Sequence, residues 1–125
     1  MKYSVVLVVL VAASASAHCA GRDETPKCNP NGSTQESNAC VYNELDAADR
    51  EMNSVYKSKL ASLPKAARDA LREEQREWLK TRDPQCKDDS KDMEGLSGWV
   101  SEFYGCVASA TRERTQYLNV WKPAR

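Results

Sequence analysis

The chain has 125 residues, with 18 Lys+Arg against 18 Asp+Glu, one histidine and five cysteines. Balanced charge excludes the basic field that nucleic acid or an anionic lipid surface would require. One histidine leaves little from which to build a zinc centre or a histidine-activated nucleophile. The cysteines point instead to an oxidising compartment and covalent cross-links.

The opening segment MKYSVVLVVLVAASASA carries one lysine, a Val/Leu run and small residues ending in Ala15-Ser16-Ala17. That is the pattern of a signal peptide over residues 1–17, and it predicts an exported protein, periplasmic or secreted. Its apolar run, Val5 to Ala13, is too short to span a bilayer, and nothing later approaches the roughly 20 apolar residues required. Removing Lys2 leaves 17 Lys+Arg against 18 Asp+Glu, a net charge of −1 on a chain starting near His18. Cys19 stands where a lipoprotein cysteine would, but such sites want a small residue before the cysteine and His18 is there. A lipid anchor is therefore not expected.

Residues 18–33, with Pro26, Pro30 and the Asn31-Gly32 turn signal, read as an N-terminal arm. Asn31-Gly32-Ser33 matches a glycosylation acceptor but is read as a turn and helix cap. Ser33 and Glu36 form a capping box, so a first helix can begin at Thr34. Leu45, Ala48, Met52, Val55, Tyr56, Leu60 and Leu63 recur on one face of it. The chain turns near Ser62 to Pro64, and a second helix is predicted over Lys65 to Arg82. On this helix Leu71, Gln75, Trp78, Arg82 and Cys86 fall at i, i+4, i+7, i+11 and i+15, a single stripe mixing apolar and polar groups. Asp83-Pro84 should end or kink the helix, because the residue before proline is pushed out of the α region. The polar run CKDDSKDMEGLSG then reads as the longest loop of the folded part. A third helix resumes at Trp99 through Phe103, Val107, Ala110, Tyr117 and Trp121, and ends before Pro123. No β-alternation or internal repeat appears, so the fold class is all-α: a small disulfide-stapled bundle of three main helices over residues 34–122.

Four of the cysteines, Cys28, Cys40, Cys86 and Cys106, fall inside or beside these elements, and Cys19 is left over. Locality in the proposed bundle favours 28 with 40 and 86 with 106, although spacing does not decide among the possible pairings. Each such staple would remove about 3 kcal/mol of denatured-state freedom.

The order of these residues is distinctive. Cys28 and Cys40, then Asp49 with Met52-Asn53 and Tyr56, then Gln75-Arg76-x-Trp78 and Arg82-Asp83-x-x-Cys86, then Cys106 with Thr111 and Arg114, resembles the LprI-like lysozyme-inhibitor domain family. The resemblance covers Cys28 to about Leu118. It implies a small helical domain of the bacterial cell envelope, with lysozyme inhibition attributed to a founding member and no catalytic residues. This chain departs from the family in having Pro84 directly after Arg82-Asp83, and in its doubtful lipid site.

Two groups of residues remain to be assigned. Asp49, Asn53, Gln75, Arg82, Thr111 and Arg114 sit among apolar positions and read as a structural polar network that fixes helix register, since buried polar groups are kept when they are paired. Asp88, Asp89, Asp92 and Glu94 make the segment Asp83 to Gly95 acidic, at a local charge of −3 with Asp83, Lys87 and Lys91 counted. Such a segment is commonly just solvated, but it also suits a basic protein partner such as an animal-type lysozyme. It lacks the ligand frame of a calcium-binding loop. No metal, cofactor or catalytic constellation is expected, and the chain reads as a non-enzymatic binding protein. The competing reading is an envelope structural protein, adaptor or toxin-immunity protein.

Overall fold

A computed structural model describes residues 26–123. The signal-peptide segment, Cys19 and the first half of the arm lie outside the described residues. Three helices account for nearly all the rest: α1 (Thr34–Ser62), α2 (Lys65–Asp89) and α3 (Trp99–Val120), with a short 3-10 helix, Lys91–Met93, between the last two. The first helix starts where its capping box places it. Ser33 Oγ accepts from the Glu36 amide, and the Ser33 amide donates to the Glu36 carboxylate at 2.7 Å. That backbone donor, with the Ser33 hydroxyl second, holds the Glu36 carboxyl below the usual range against a small opposing effect of burial.

The helices run up, down and up. Asn38 meets Ser101 near the start of α1 and α3, and Lys59 Nζ donates to the Asn119 carbonyl at 2.9 Å near their ends, so these two helices are parallel neighbours. Between them the chain returns along α2, whose Arg82 reaches Asp49 and whose Gln75 reaches Met52. The α1 and α3 backbones approach within 8 Å over much of their length, and α2 does so with α3 at fewer points. Side-chain size explains the difference. Ala48, Ala108, Thr111 and Thr115 are all buried and let α1 and α3 close up, whereas Trp78, Arg82 and Arg114 hold α2 away.

The apolar core is small and lies at the end of the bundle where α1 turns into α2. Met52, Ala67, Leu71, Leu118 and Trp121 form it, with Val55, Tyr56, Leu60, Leu63 and Trp78 packed around them. Staples secure the opposite end. Cys28 bonds Cys40, and Cys86 bonds Cys106, so the locally favoured pairing is the one present.

The end of α2 departs from expectation. Pro84 neither ends nor breaks the helix, which continues to Asp89. Proline removes only the amide that would bond the Lys80 carbonyl, and both residues are exposed, so water can satisfy that carbonyl. Beyond it Cys86 is buried and bonded to α3, and Ser90 caps the turn by donating both its amide and its hydroxyl to the Cys86 carbonyl. A tertiary anchor thus extends the helix past a local breaker. In consequence Asp88 and Asp89 are helical, and Asp92 lies in the 3-10 turn. The anticipated loop shrinks to Glu94–Gly98, turning at Gly95, whose φ of +83° favours glycine.

Candidate functional site

Two regions hold the residues singled out from the sequence: a polar seam inside the bundle and an acidic rim at the α2–α3 corner. The seam is built on the α2 stripe. Arg114 Nε donates to Gln75 Oε1 at 2.8 Å, and Gln75 turns its amide toward the Met52 sulfur at 3.5 Å. Two helical turns further along α2, Arg82 Nη1 reaches Asp49 at 3.1 Å and Thr111 Oγ1 at 3.2 Å, while its Nε donates to Asp83 at 2.7 Å. Thr111 passes its own proton to the Val107 carbonyl at 2.7 Å. Both guanidinium carbons stand 5.5 Å from the centre of the Trp78 ring, and Arg114 also lies 4.6 Å from that of Tyr117. Trp78 therefore serves both arginines as a cation–π partner.

Five of the six residues expected in a network are brought together. Asn53 is not. It is exposed on α1, one turn beyond Asp49.

Sequence reasoning missed Glu74, Tyr117 and Trp121. Trp121 Nε1 donates to one Glu74 oxygen at 2.8 Å, and Arg114 Nη2 sits 3.0 Å from the other, close enough for an ion pair but off the line of a hydrogen bond. Burial pushes the Glu74 carboxyl up, yet the donors Trp121 and Tyr117, together with Arg114, outweigh it and hold the group low. Tyr117 responds in the opposite sense: its hydrogen bond to Glu74, reinforced by burial, raises the phenol above its ordinary value. The one available signal was register, since Glu74 is four residues before Trp78.

The acidic rim is scattered rather than clustered. Asp88 pairs with Lys91 at 3.1 Å, while Asp89, Asp92 and Glu94 are exposed around the corner. Behind the rim a cleft of 540 Å³ runs between α2 and α3, with Cys86 and Cys106 among its lining and Arg82, Gln85 and Glu113 on its walls. Among the described residues there is no group of three or more His, Cys, Asp or Glu that could hold a metal ion. No described helix is long and apolar enough to cross a membrane.

The family model described as lysozyme inhibitor LprI matches residues 26–118. The chain belongs to the LprI family. The matched span runs from before the Cys28–Cys40 staple to Leu118 in the core, so the LprI match covers both bridges, the acidic rim and all of the seam except Trp121. An uncharacterized protein of Rhizobium meliloti (strain 1021) is 30% identical over 106 residues, which is 74% of this chain and 76% of that protein. No solved structure matches the chain.

Proposed function

We propose that this protein is exported and binds a lysozyme or related cell-wall hydrolase, inhibiting it by occlusion rather than by catalysis. LprI family membership over residues 26–118 carries the reading. Two further features support it. Two disulfides suit an oxidising compartment outside the cytoplasm. Asp88, Asp89, Asp92 and Glu94 project from a corner that the Cys86–Cys106 bridge holds rigid, so little ordering entropy is lost on binding. Negative charge at that corner would speed encounter with a strongly basic enzyme.

The test is a cell-wall turbidity assay with the purified, oxidised protein against several lysozyme types. Inhibition of at least one type is expected, weakening as salt is added. Replacing Asp88, Asp89 and Asp92 together by asparagine should reduce potency and flatten the salt dependence. Failure to inhibit any type at large molar excess would sink the proposal and favour an adaptor or toxin-immunity role. Unchanged potency in the triple variant would instead remove the acidic rim from the interface.

A further inference from the structure

The last two turns of α2 hold features that oppose a helix. Pro84 stands inside it, where the ring removes one amide from the ladder and crowds the Lys80 carbonyl. Asp88 and Asp89 set two carboxylates at the negative end of the helix dipole, against Lys87 as the one base in that turn. Up to Arg82 the helix has partners of its own: Leu71 in the core, Gln75 on Arg114, Arg82 on Asp49 and Thr111. Beyond Pro84 it leans on Cys86. Gln85, Lys87, Asp88 and Asp89 are exposed, whereas Cys86 is 1% exposed and bonded to Cys106 on α3. Ser90 is buried too, but both its amide and its hydroxyl donate to the Cys86 carbonyl, so Ser90 follows Cys86. Asp88 pairs with Lys91, three residues on, which ties the segment to no other helix. Cys106 is half-buried and lines the cleft between α2 and α3, which gives small thiols a route to the bridge.

We infer that residues 85–90, which carry Asp88 and Asp89 of the acidic rim, form a redox-conditional element: helical while the Cys86–Cys106 bridge is closed, unwound back to Pro84 when a dithiol opens it. The step is a thiol–disulfide exchange. One thiolate of the dithiol attacks Cys106 Sγ from the cleft; the S–S bond breaks, and its electron pair leaves on Cys86 Sγ, which takes up a proton. The second thiol, as its thiolate, then attacks the mixed disulfide at its own partner sulfur and releases Cys106, which takes up the other proton. The dithiol departs as a disulfide, oxidised by two electrons, and the protein gains two thiols. With the bond gone, the proline and the two C-terminal carboxylates act on a segment that has lost its anchor to α3. The change belongs to the chain itself and holds whether or not a hydrolase is its partner; where one is, the opened form presents no rigid acidic corner to it.

The test follows backbone chemical shifts by NMR in the chain carrying Cys19→Ser, Cys28→Ser and Cys40→Ser, so that Cys86 and Cys106 form its one bridge, before and after dithiothreitol. On reduction the Cα shifts of Gln85 to Ser90 should lose more than about half of their helical offset and regain it on reoxidation, while those of Lys65 to Arg82 keep theirs. A second variant, Cys86→Ala with Cys106→Ala, retains the Cys28–Cys40 bridge and should show the unwound shifts without any reductant. Adding Pro84→Ala to it should bring helical shifts back at Gln85 to Lys87, because the local breaker is then gone. Helical shifts that persist at residues 85–90 once the bridge is open would overturn the inference. So would a loss that spreads back over Lys65 to Arg82, which would make the bridge a staple of the whole fold, or a failure of Pro84→Ala to restore the helix.

Discussion

Arg114 and Gln75 face each other across the α2–α3 interface, both buried and joined at 2.8 Å from Nε to Oε1. Arg114 is only 8% exposed, so its charge depends on protein partners rather than on water. Arg114→Met strands the Gln75 oxygen and unpairs Glu74, and should cost roughly 3 kcal/mol, the lower end for breaking a buried charged pair. Gln75→Met should cost about 1.5–3 kcal/mol by orphaning a charged donor. The double variant is expected to lose at least about 1 kcal/mol less than the sum, because the second change removes a group already left unpaired. Urea unfolding of all four proteins checks this, and strict additivity would show the pair to be uncoupled.

The Arg82–Asp49 pair is built differently. Asp49 keeps 38% of its side chain exposed, and Arg82 does not depend on Asp49 alone: when Asp49 is replaced, Arg82 still holds Asp83 through Nε and Thr111 through Nη1. Asp49→Asn should therefore cost no more than about 1 kcal/mol, the scale of a solvent-screened ion pair. A loss as large as that of Arg114→Met would mean that Asp83 and Thr111 do not hold Arg82 once Asp49 is gone.

Glu74 and Tyr117 predict a two-sided pH dependence. The Glu74 carboxyl is held below its ordinary 4.5, so the unfolded chain binds the extra proton in acid; its contribution is full above that value and lost as pH falls through the folded one. The Tyr117 phenol is raised above 10.0, so its contribution is full below that value and lost as pH rises through the folded one. Glu74→Gln should flatten both limbs of stability against pH. The acid limb should shrink rather than vanish, because Glu36, Asp69 and Glu77 are also held low by local partners. An unaltered alkaline limb would show that Tyr117 does not depend on Glu74.

Pro84 offers a simple gain. Restoring an amide in mid-helix with Pro84→Ala should recover much of the roughly 3 kcal/mol that proline costs there, less up to about 1 kcal/mol of extra freedom given to the unfolded chain. A rise in the thermal midpoint is the expected outcome. No rise would mean that the ring makes packing contacts that offset the missing bond.

The two bridges should differ in worth. Replacing Cys86 and Cys106 by alanine removes a cross-link spanning 20 residues at a buried helix contact and should cost about 3 kcal/mol. The Cys28–Cys40 bridge spans 12 residues and ties an exposed arm to the first turns of α1. Its loss should fray that end with less effect on the main transition. Hydrogen exchange on each variant would distinguish local fraying from global loosening.

What could be read in advance follows from which forces are local. The start of α1 was legible because Ser33 and Glu36 satisfy each other within one turn, and the buried face of α2 because its period is written in Gln75, Trp78, Arg82 and Cys86. The end of α2 was not, since Pro84 is a local stop signal overridden by a bond to Cys106 that lies far along the chain. The same limit hid Glu74, whose role depends on Trp121 arriving from α3. Asn53 misled for a related reason: a polar residue beside Met52 and Tyr56 looks interior until its angle around α1 is fixed by the neighbours. For the acidic residues the charge was plain, but which of them faces the cleft depended on α2 continuing past Pro84.

The parallel pairing of the first and last helices has a kinetic consequence. Lys59 meets Asn119 across 60 residues and Asn38 meets Ser101 across 63, so the closest helix pair is also the most distant in sequence. The α2–α3 hairpin can form from neighbouring chain, but α1 must wait, exposing its apolar face until the end of α3 and Trp121 are in place. Deleting the last turn of α3 together with Trp121 should therefore slow the docking of α1 and leave its Leu60 end uncovered.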